Sequence, residues 1–344
     1  MIEVENLHKV YPAASGGLLS HREVIALHGV SLRIPDGGAL SIIGESGCGK
    51  TTLGRILAGL ESYSSGNLTI DGVNLLTLTR KDRQAYFRKI QLVHQDPYTA
   101  LNPAHTIFHA LSVPLKIQSQ LFDHNSEWVM ARSTELLAMV GLDPEGTLYK
   151  YPHALSGGQR QRVVIARALT VDPTVIVADE AVSMIDVSMR LEILNLLSDL
   201  RTRLGIAIIF ITHDVAAARY IANDGEICVL YRGEVMEYGK TDGVIVRPVH
   251  PYTQAMLSAT PVLRGIEEPG PDRDIPVEGM ENFDTLDSGC LFSPRCRHAT
   301  ARCREKHPDI MQWEDPLTHS IRKHACFYPV PRNVVPVPIA NRML

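Results

Sequence analysis

Residues 44 to 51 read Gly44-Glu45-Ser46-Gly47-Cys48-Gly49-Lys50-Thr51, followed by Thr52. The stretch fits G-x-x-x-x-G-K-[ST]. An apolar run from Ala39 to Ile43 precedes it, and a helical pattern from Thr51 to Leu60 follows. Strand, glycine-rich turn and helix start, in that order, form a phosphate-binding loop. The glycines let backbone N–H groups curl around phosphate oxygens, and the helix N-terminus adds a favourable dipole. Lys50 brings a point charge for the β- and γ-phosphates, and Thr51 a hydroxyl for Mg2+. The expected ligand is therefore a nucleotide such as ATP with its Mg2+. Cys48, inside the loop, reads as local packing.

A second segment supports the first. Val175-Ile176-Val177-Ala178-Asp179-Glu180 is an apolar run that ends in two carboxylates. Asp179 is placed to hold Mg2+, directly or through water, and Glu180 to polarise an attacking water. A strand ending in Asp-Glu could by itself be a solvated strand end; beside a phosphate loop the functional reading prevails.

Short Val- and Ile-rich runs alternate with helical patterns over the first 245 residues, which predicts an α/β fold. The strands expected are Ile2 to Val10, Ala39 to Ile43, Ile90 to Val93, Thr174 to Ala178, Ala207 to Ile211 and Glu226 to Tyr231. The helices expected are Thr51 to Leu60, Ser126 to Val140, Gly158 to Leu169 and Val187 to Leu204. Continuously apolar strands such as Thr174 to Ala178 suggest parallel strands covered on both faces. From Asp96 to Leu155 the alternation stops and helical patterns take over, as in a helical insertion.

Composition narrows the function. A formal net charge of −4 argues against a main role in gripping nucleic acid. No apolar run reaches bilayer-spanning length, and no basic-then-apolar signal segment opens the chain. A cytoplasmic protein is expected, whose membrane role would come through partners.

Beyond Val246 the character changes. Residues 264 to 288 carry eight acidic side chains against two Arg, and read as a linker. From Cys290 onward nine Lys or Arg face four Asp or Glu, and four prolines between Pro329 and Pro338 suggest an extended tail. Four of the six cysteines fall here, spaced Cys290-x5-Cys296-x6-Cys303-x22-Cys326. In a reducing compartment such clustering reads as metal binding rather than disulfides. Four thiolates can close a tetrahedral zinc site or hold an iron–sulfur cluster. His298, His307, His319 and His324 lie near enough in sequence to substitute as ligands, and thiols without metal are the bland alternative. The second cysteine outside the cluster, Cys228, sits inside an expected strand.

The class is decided by Leu155-Ser156-Gly157-Gly158-Gln159, followed by Arg160-Gln161-Arg162 and a helix. This resembles the signature motif of ABC ATPases, a glycine-rich helix start that meets the nucleotide of the opposite subunit. The resemblance implies an ABC-type P-loop fold: a RecA-like core, an antiparallel β subdomain and a helical subdomain, with a small C-terminal Cys-rich domain. It also implies that one chain carries two half-sites, which meet in a face-to-face dimer. Other positions fall in the family's order. Gln95 resembles the Q-loop glutamine that senses Mg2+ and the membrane partner. Ser183-Met184-Ile185-Asp186 resembles the D-loop, His213 the switch histidine at the γ-phosphate, and Tyr11 the aromatic residue that stacks on adenine. Two positions depart from the pattern: Ala181 stands where Pro is usual, and Ile185 where Leu is.

Gln95 to Pro103 and His250-Pro251-Tyr252-Thr253 are similar to segments of the ATPase subunits of oligopeptide, dipeptide and nickel importers. For that branch the four-cysteine tail implies a [4Fe-4S] cluster on Cys290, Cys296, Cys303 and Cys326, with Zn2+ as the alternative. The domains expected are 1–245 for nucleotide binding (helical subdomain about 96–165), 246–289 for a C-terminal helix and acidic linker, 290–328 for the four cysteines and 329–344 for the tail. The implied partners are a second ATPase subunit, two transmembrane permease subunits met by Gln95 to Pro103, and an extracytoplasmic solute-binding protein. The chain would then sit at the cytoplasmic face of the cell membrane and drive uptake of di- or oligopeptides, with oligosaccharide or nickel as alternatives. A soluble ABC ATPase of translation or repair is the competing class. One ATPase domain and no heptad run argue for transport.

Overall fold

A computed structural model describes residues 1–13, 22–122, 125–259, 267–268, 288–316, 319–333 and 337–338. Among the described residues, two main sheets organise it, beside a two-stranded pair. The smaller is antiparallel, in the order β2-β1-β4-β5, from β1 (Ile2–Ala13), β2 (Arg22–Ile34), β4 (Ser65–Ile70) and β5 (Val73–Asn74). Ile2, Val4, Leu7, Leu27, Val30 and Leu32 are buried from its two long strands.

Among the described residues the larger sheet has eight strands. Its parallel part runs β6 (Ile90–Val93), β7 (Val175–Asp179), β8 (Ala207–Thr212), β3 (Ala39–Ile43) and β9 (Glu226–Tyr231). Every residue of β3, β7 and β8 is buried. That is why their sequences are continuously apolar rather than alternating. β10 (Glu234–Lys240) turns back antiparallel to β9. The helices that cover this sheet are α1 (Lys50–Leu57), α2 (Arg80–Arg88), α7 (Gly157–Leu169), α8 (Val187–Leu204) and α9 (Val215–Ile221). α8 ends at Gly205, whose φ of 67° supplies the left-handed turn that stops a helix.

The expected helical insertion is present, as α3 (Pro97–Ala100), α4 (Ile107–Phe122), α5 (Ser126–Met139) and α6 (Pro144–Thr147), leading into α7. Leu111, Leu115, Leu136, Leu137 and Val140 join Val163 and Val164 of α7 in one buried cluster with Ile176 and Phe210 of the sheet. The insertion therefore shares a core with the strands that end at the site.

The C-terminal region contains α10 (Thr241–Val246), α11 (Pro251–Ser258), β11 (Glu267–Glu268), α12 (Ala301–Glu305), β12 (Met311–Glu314), β13 (Ile321–His324) and β14 (Val337–Pro338). The two-residue strands β11 and β14 pair with each other. The expected small C-terminal Cys-rich domain is not shown as a unit of its own among the described residues. β13 pairs antiparallel with β10, and β12 with β13, so this region extends the main sheet. Phe292 is buried with Tyr231, Met236 and Tyr252 rather than in a core of its own. A stretch this short buries too little apolar surface to stand alone. Most of the acidic linker and the end of the Pro-rich tail lie outside the described residues.

A buried ionic group fastens the extension. Arg322 of β13 donates to Gly243 O, Arg247 O and Asp315 Oδ2, and its guanidinium lies 3.7 Å from Glu237 of β10. Glu237 also accepts the N–H groups of Val249 and His250, both at 3.0 Å. Both side chains are essentially inaccessible. Removing one partner from such a group strands the other charge. Arg322→Ala is expected to lower unfolding stability by about 3–5 kcal/mol, read as a shift in the urea midpoint; an unchanged midpoint would refute this role.

Candidate nucleotide site

The phosphate loop hangs between β3 and α1, at the carboxyl end of a strand flanked by parallel neighbours on both sides. That is the edge where α/β sheets bind ligands. Gly44, Gly47 and Gly49 have φ of 156°, 78° and 102°, in the region that favours glycine. Two of them are also pressed from outside. A Cβ on Gly44 would lie 2.1 Å from Leu230 O of β9, and one on Gly49 2.3 Å from Ala26 O of β2. The loop is thus moulded by both sheets. Lys50 is buried and donates to Gly44 O and Glu45 O at 2.8 Å each, which folds its ammonium back over the turn. The buried Cys48 thiol sits 3.8 Å from the same ammonium.

Parallel strands bring the other predicted residues to this edge. Thr51 Oγ1 donates to Asp179 Oδ1 at 3.2 Å, so two of the three expected Mg2+ groups are in contact. Burial pushes the Asp179 carboxyl upward from its ordinary pKa, and the Glu180 charge adds to this; the Thr51 hydrogen bond opposes it. A cation in the site would reverse the shift. Glu180 follows β7 at φ 49°, an uncommon conformation for a non-glycine residue. Its carboxylate accepts Gln95 Nε2 at 2.9 Å and faces His213 Nδ1 at 3.4 Å. Gln95 follows β6 and His213 follows β8, so the strands flanking β7 each deliver one partner to Glu180. Ser183 Oγ donates to Glu180 O at 2.9 Å, tying the next turn to this carboxylate's backbone. Asp186 is exposed just before α8. Together these groups can take a metal-bound polyphosphate and activate a water beside it.

Two expected elements stand apart from this constellation. Ser156 caps α7, accepting Gln159 N–H at 3.2 Å while Gln159 Oε1 accepts Ser156 N–H at 3.0 Å, a reciprocal capping box. Ser156 and Gln159 face solvent, with Gly157 half-covered and Gly158 buried. The Ser156 to Gln159 loop has a helix N-terminus to offer, and its side-chain hydrogen bonds stay within the capping box rather than reaching the chain's own phosphate loop. Tyr11 is half-buried on β1, with the Lys9 ammonium 4.5 Å from its ring centroid. Its neighbours 14–21 lie outside the described residues.

Sequence reasoning missed several contacts that tie the site to distant segments. Gln161 of α7 donates to His94 O, beside Gln95. Arg160 lies 4.0 Å from the Tyr98 ring centroid, and Arg167 donates to Ala100 O, so α7 holds the segment after Gln95. Tyr252 accepts the Glu45 N–H at 3.1 Å, and Arg295 grips the Glu45 carboxylate through two nitrogens at 2.9 and 3.0 Å. No local pattern announces a contact across 250 residues. The run Arg160-Gln161-Arg162 was visible, but not what each side chain touches.

All four clustered cysteines line one cavity, with Phe292, Pro308 and Phe327. Burial pushes the Cys290 thiol up to about 11 and the Cys326 thiol up to about 12, and the neighbouring cysteines push in the same direction. Among the described residues, no three His, Cys, Asp or Glu side chains converge closely enough for a single metal ion.

The sequence matches the ABC transporter family over residues 27–183, and the oligopeptide/dipeptide transporter C-terminal region over 236–303. It is 41% identical over 318 residues to the dipeptide transport ATP-binding protein DppF of Haemophilus influenzae, covering 92% of this chain and 94% of that one. Against DppF of Escherichia coli it is 39% identical over 329 residues, covering 95% and 94%. The chain belongs to the ABC transporter ATP-binding family. Among solved structures, the dimeric post-hydrolysis state of the cassette MJ0796 with ADP and Pi superposes with a TM-score of 0.60 at 32% identity, over 70% of this chain and 99% of that one. The fold is that of an ABC ATPase cassette, and the chain is an ATP-hydrolysing enzyme.

Glu180→Gln is expected to bind Mg-ATP while hydrolysis falls by roughly 10²-fold or more, measured as phosphate release alongside equilibrium nucleotide binding. Turnover near the unmodified rate would remove Glu180 as the key carboxylate.

Proposed function

We propose that this chain is half of the paired motor of a peptide importer, coupling ATP binding and hydrolysis to uptake of di- or oligopeptides. The observation that carries the motor reading is the convergence of Thr51 with Asp179, and of Gln95 and His213 on Glu180, at one sheet edge beside the phosphate loop. In this reading Lys50 leaves its carbonyl partners for the phosphates, and the Gly44 to Thr52 backbone cradles them. Thr51, Asp179 and Gln95 hold Mg2+, Glu180 polarises the attacking water, and His213 meets the γ-phosphate. Tyr11 stacks on adenine. Ser156 to Gln159 serve the ATP of a partner cassette, with Ser183 and Asp186 near the seam. Ala181 and Ile185 are both buried, which supports reading the two departures as packing changes.

The peptide substrate rests on the relatives, whose names describe dipeptide transport. Two permease subunits, a second ATPase and a solute-binding protein complete the proposed assembly, at the cytoplasmic face of the cell membrane. No helix among the described residues is long and apolar enough to cross a bilayer, so contact with the permeases falls to surface elements. The groove lined by Gln91, Asn102, His105, His109 and Arg167, beside the segment that starts at Gln95, is the candidate seat.

The cysteine cavity is proposed to hold a [4Fe-4S] cluster. Four thiols lining one cavity fit it. A zinc ion on the same four thiols is the alternative. When bound, the cluster would supply a structural cross-link among Cys290, Cys296, Cys303 and Cys326. Thiols held protonated by burial must lose their protons to ligate, so cluster retention should weaken as pH falls.

Two measurements test these readings. The chain is expected to co-purify from solubilised membranes with two integral subunits, and proteoliposomes of that complex to take up labelled dipeptide only with Mg-ATP and a binding protein. Recovery free of membrane subunits would refute the transport role. After anaerobic purification, iron and acid-labile sulfide are each expected at about four per chain; stoichiometric zinc without iron would overturn the cluster.

A further inference from the structure

Glu45 occupies a variable position of the phosphate loop, yet each of its polar groups is held. Its N–H donates to the Tyr252 hydroxyl at 3.1 Å, and its C=O accepts the Lys50 ammonium at 2.8 Å. Its carboxylate accepts both terminal nitrogens of Arg295, at 2.9 and 3.0 Å. Arg295 belongs to the short 3-10 turn Ser293–Arg295, immediately before Cys296. It is mostly buried, with its guanidinium 5.7 Å from the ring centroids of both Tyr231 and Phe292. Phe292 in turn meets Tyr252 edge-on, at 5.4 Å between centroids. One small aromatic platform thus carries both contacts to Glu45.

A carboxylate in a loop that receives a polyphosphate is electrostatically adverse, because like charges repel over several ångströms when partly shielded from water. A planar guanidinium that binds it through two nitrogens cancels the charge and fixes its direction. The need grows on nucleotide binding. Once Lys50 turns to the phosphates, the side chains still holding Glu45 are Arg295 and Tyr252, beside the Cys48 N–H on its carbonyl.

We propose that Arg295 is a positioning residue of the nucleotide site: it neutralises and orients Glu45, so the cysteine-bearing turn braces the phosphate loop and sets the affinity for Mg-ATP. This rests on the phosphate-loop reading above. The wall of the cysteine cavity and the brace are the same turn, because Phe292, Ser293 and Cys296 line that cavity. The C-terminal region is therefore mechanically part of the nucleotide site.

The test is calorimetric titration of Mg-ATP into the full-length chain, purified anaerobically. Wild-type binding and its loss in Lys50→Ala establish the phosphate loop independently of the brace. Arg295→Met keeps apolar bulk against Tyr231 and Phe292 but removes the charge; it is expected to weaken Mg-ATP binding by about tenfold, more at low salt than at high salt. Adding Glu45→Gln should recover most of that loss, which a purely structural role for Arg295 would not allow. Arg295→Lys, which keeps the charge but not the fork, should weaken binding by a smaller factor and guards against a folding defect in the first variant. Unchanged affinity in Arg295→Met, or a loss that Glu45→Gln does not relieve, would overturn the proposal.

Discussion

A turn that offers several backbone N–H groups to one anion keeps that shape only if its surroundings impose it. Here the imposition comes from three directions. The carbonyls of Leu230 and Ala26 press on Gly44 and Gly49, leaving no room for a side chain at either position. Lys50 closes the turn by donating to two of its carbonyls. Arg295 and Tyr252 hold Glu45 from the C-terminal side. The loop is where the parallel sheet, the antiparallel sheet and the C-terminal extension meet, and the rest of the architecture can be read as support for it.

The groups proposed to carry hydrolysis reach the loop by strand order rather than by chain order. β6, β7 and β8 are neighbours in the sheet although far apart in sequence, and each is followed within two residues by one member of the Gln95, Glu180 and His213 group. The helical insertion shares a core with the same strands, and α7 grips the segment after Gln95 through Gln161, Arg160 and Arg167. A shift of the insertion would therefore be felt at Gln95. This gives the proposed coupling a physical route: permease contact on one side of α3, and Mg2+ and the attacking water on the other.

The parallel strands and the phosphate loop were legible because burial on both faces writes a continuous apolar run, and because close backbone approach admits only glycine. The helix start after Ser156 was legible from its glycine-rich signature run; the Ser156–Gln159 capping box emerged only in the structure. β2 and β10 were not anticipated: each pairs with an antiparallel neighbour and mixes polar with apolar residues. The C-terminal strands were missed for a different reason. Ile321-Arg322-Lys323-His324 looks like a basic surface run, yet Arg322 is buried because Asp315 and Glu237 wait for it. Arg295 was visible only as one of the nine Lys or Arg beyond Cys290, since its partner lies 250 residues away. The residues predicted for hydrolysis were found together because family order places them at successive strand ends. Tyr11 remains tied to none of them by any contact in the described residues.

The central claim is that this chain supplies half of each of two sites: its own phosphate loop, and a capped helix start turned to solvent for a partner's ATP. Ser156→Arg tests it most directly, with two readings on the same variant. Mg-ATP affinity of the isolated chain should stay within about twofold, since Ser156 has no part in its own loop. ATP hydrolysis by the assembled transporter should fall by roughly tenfold or more, because a partner's phosphates lose a helix N-terminus and meet a bulky side chain. Weakened binding in the isolated chain, or full activity in the complex, would contradict the half-site account.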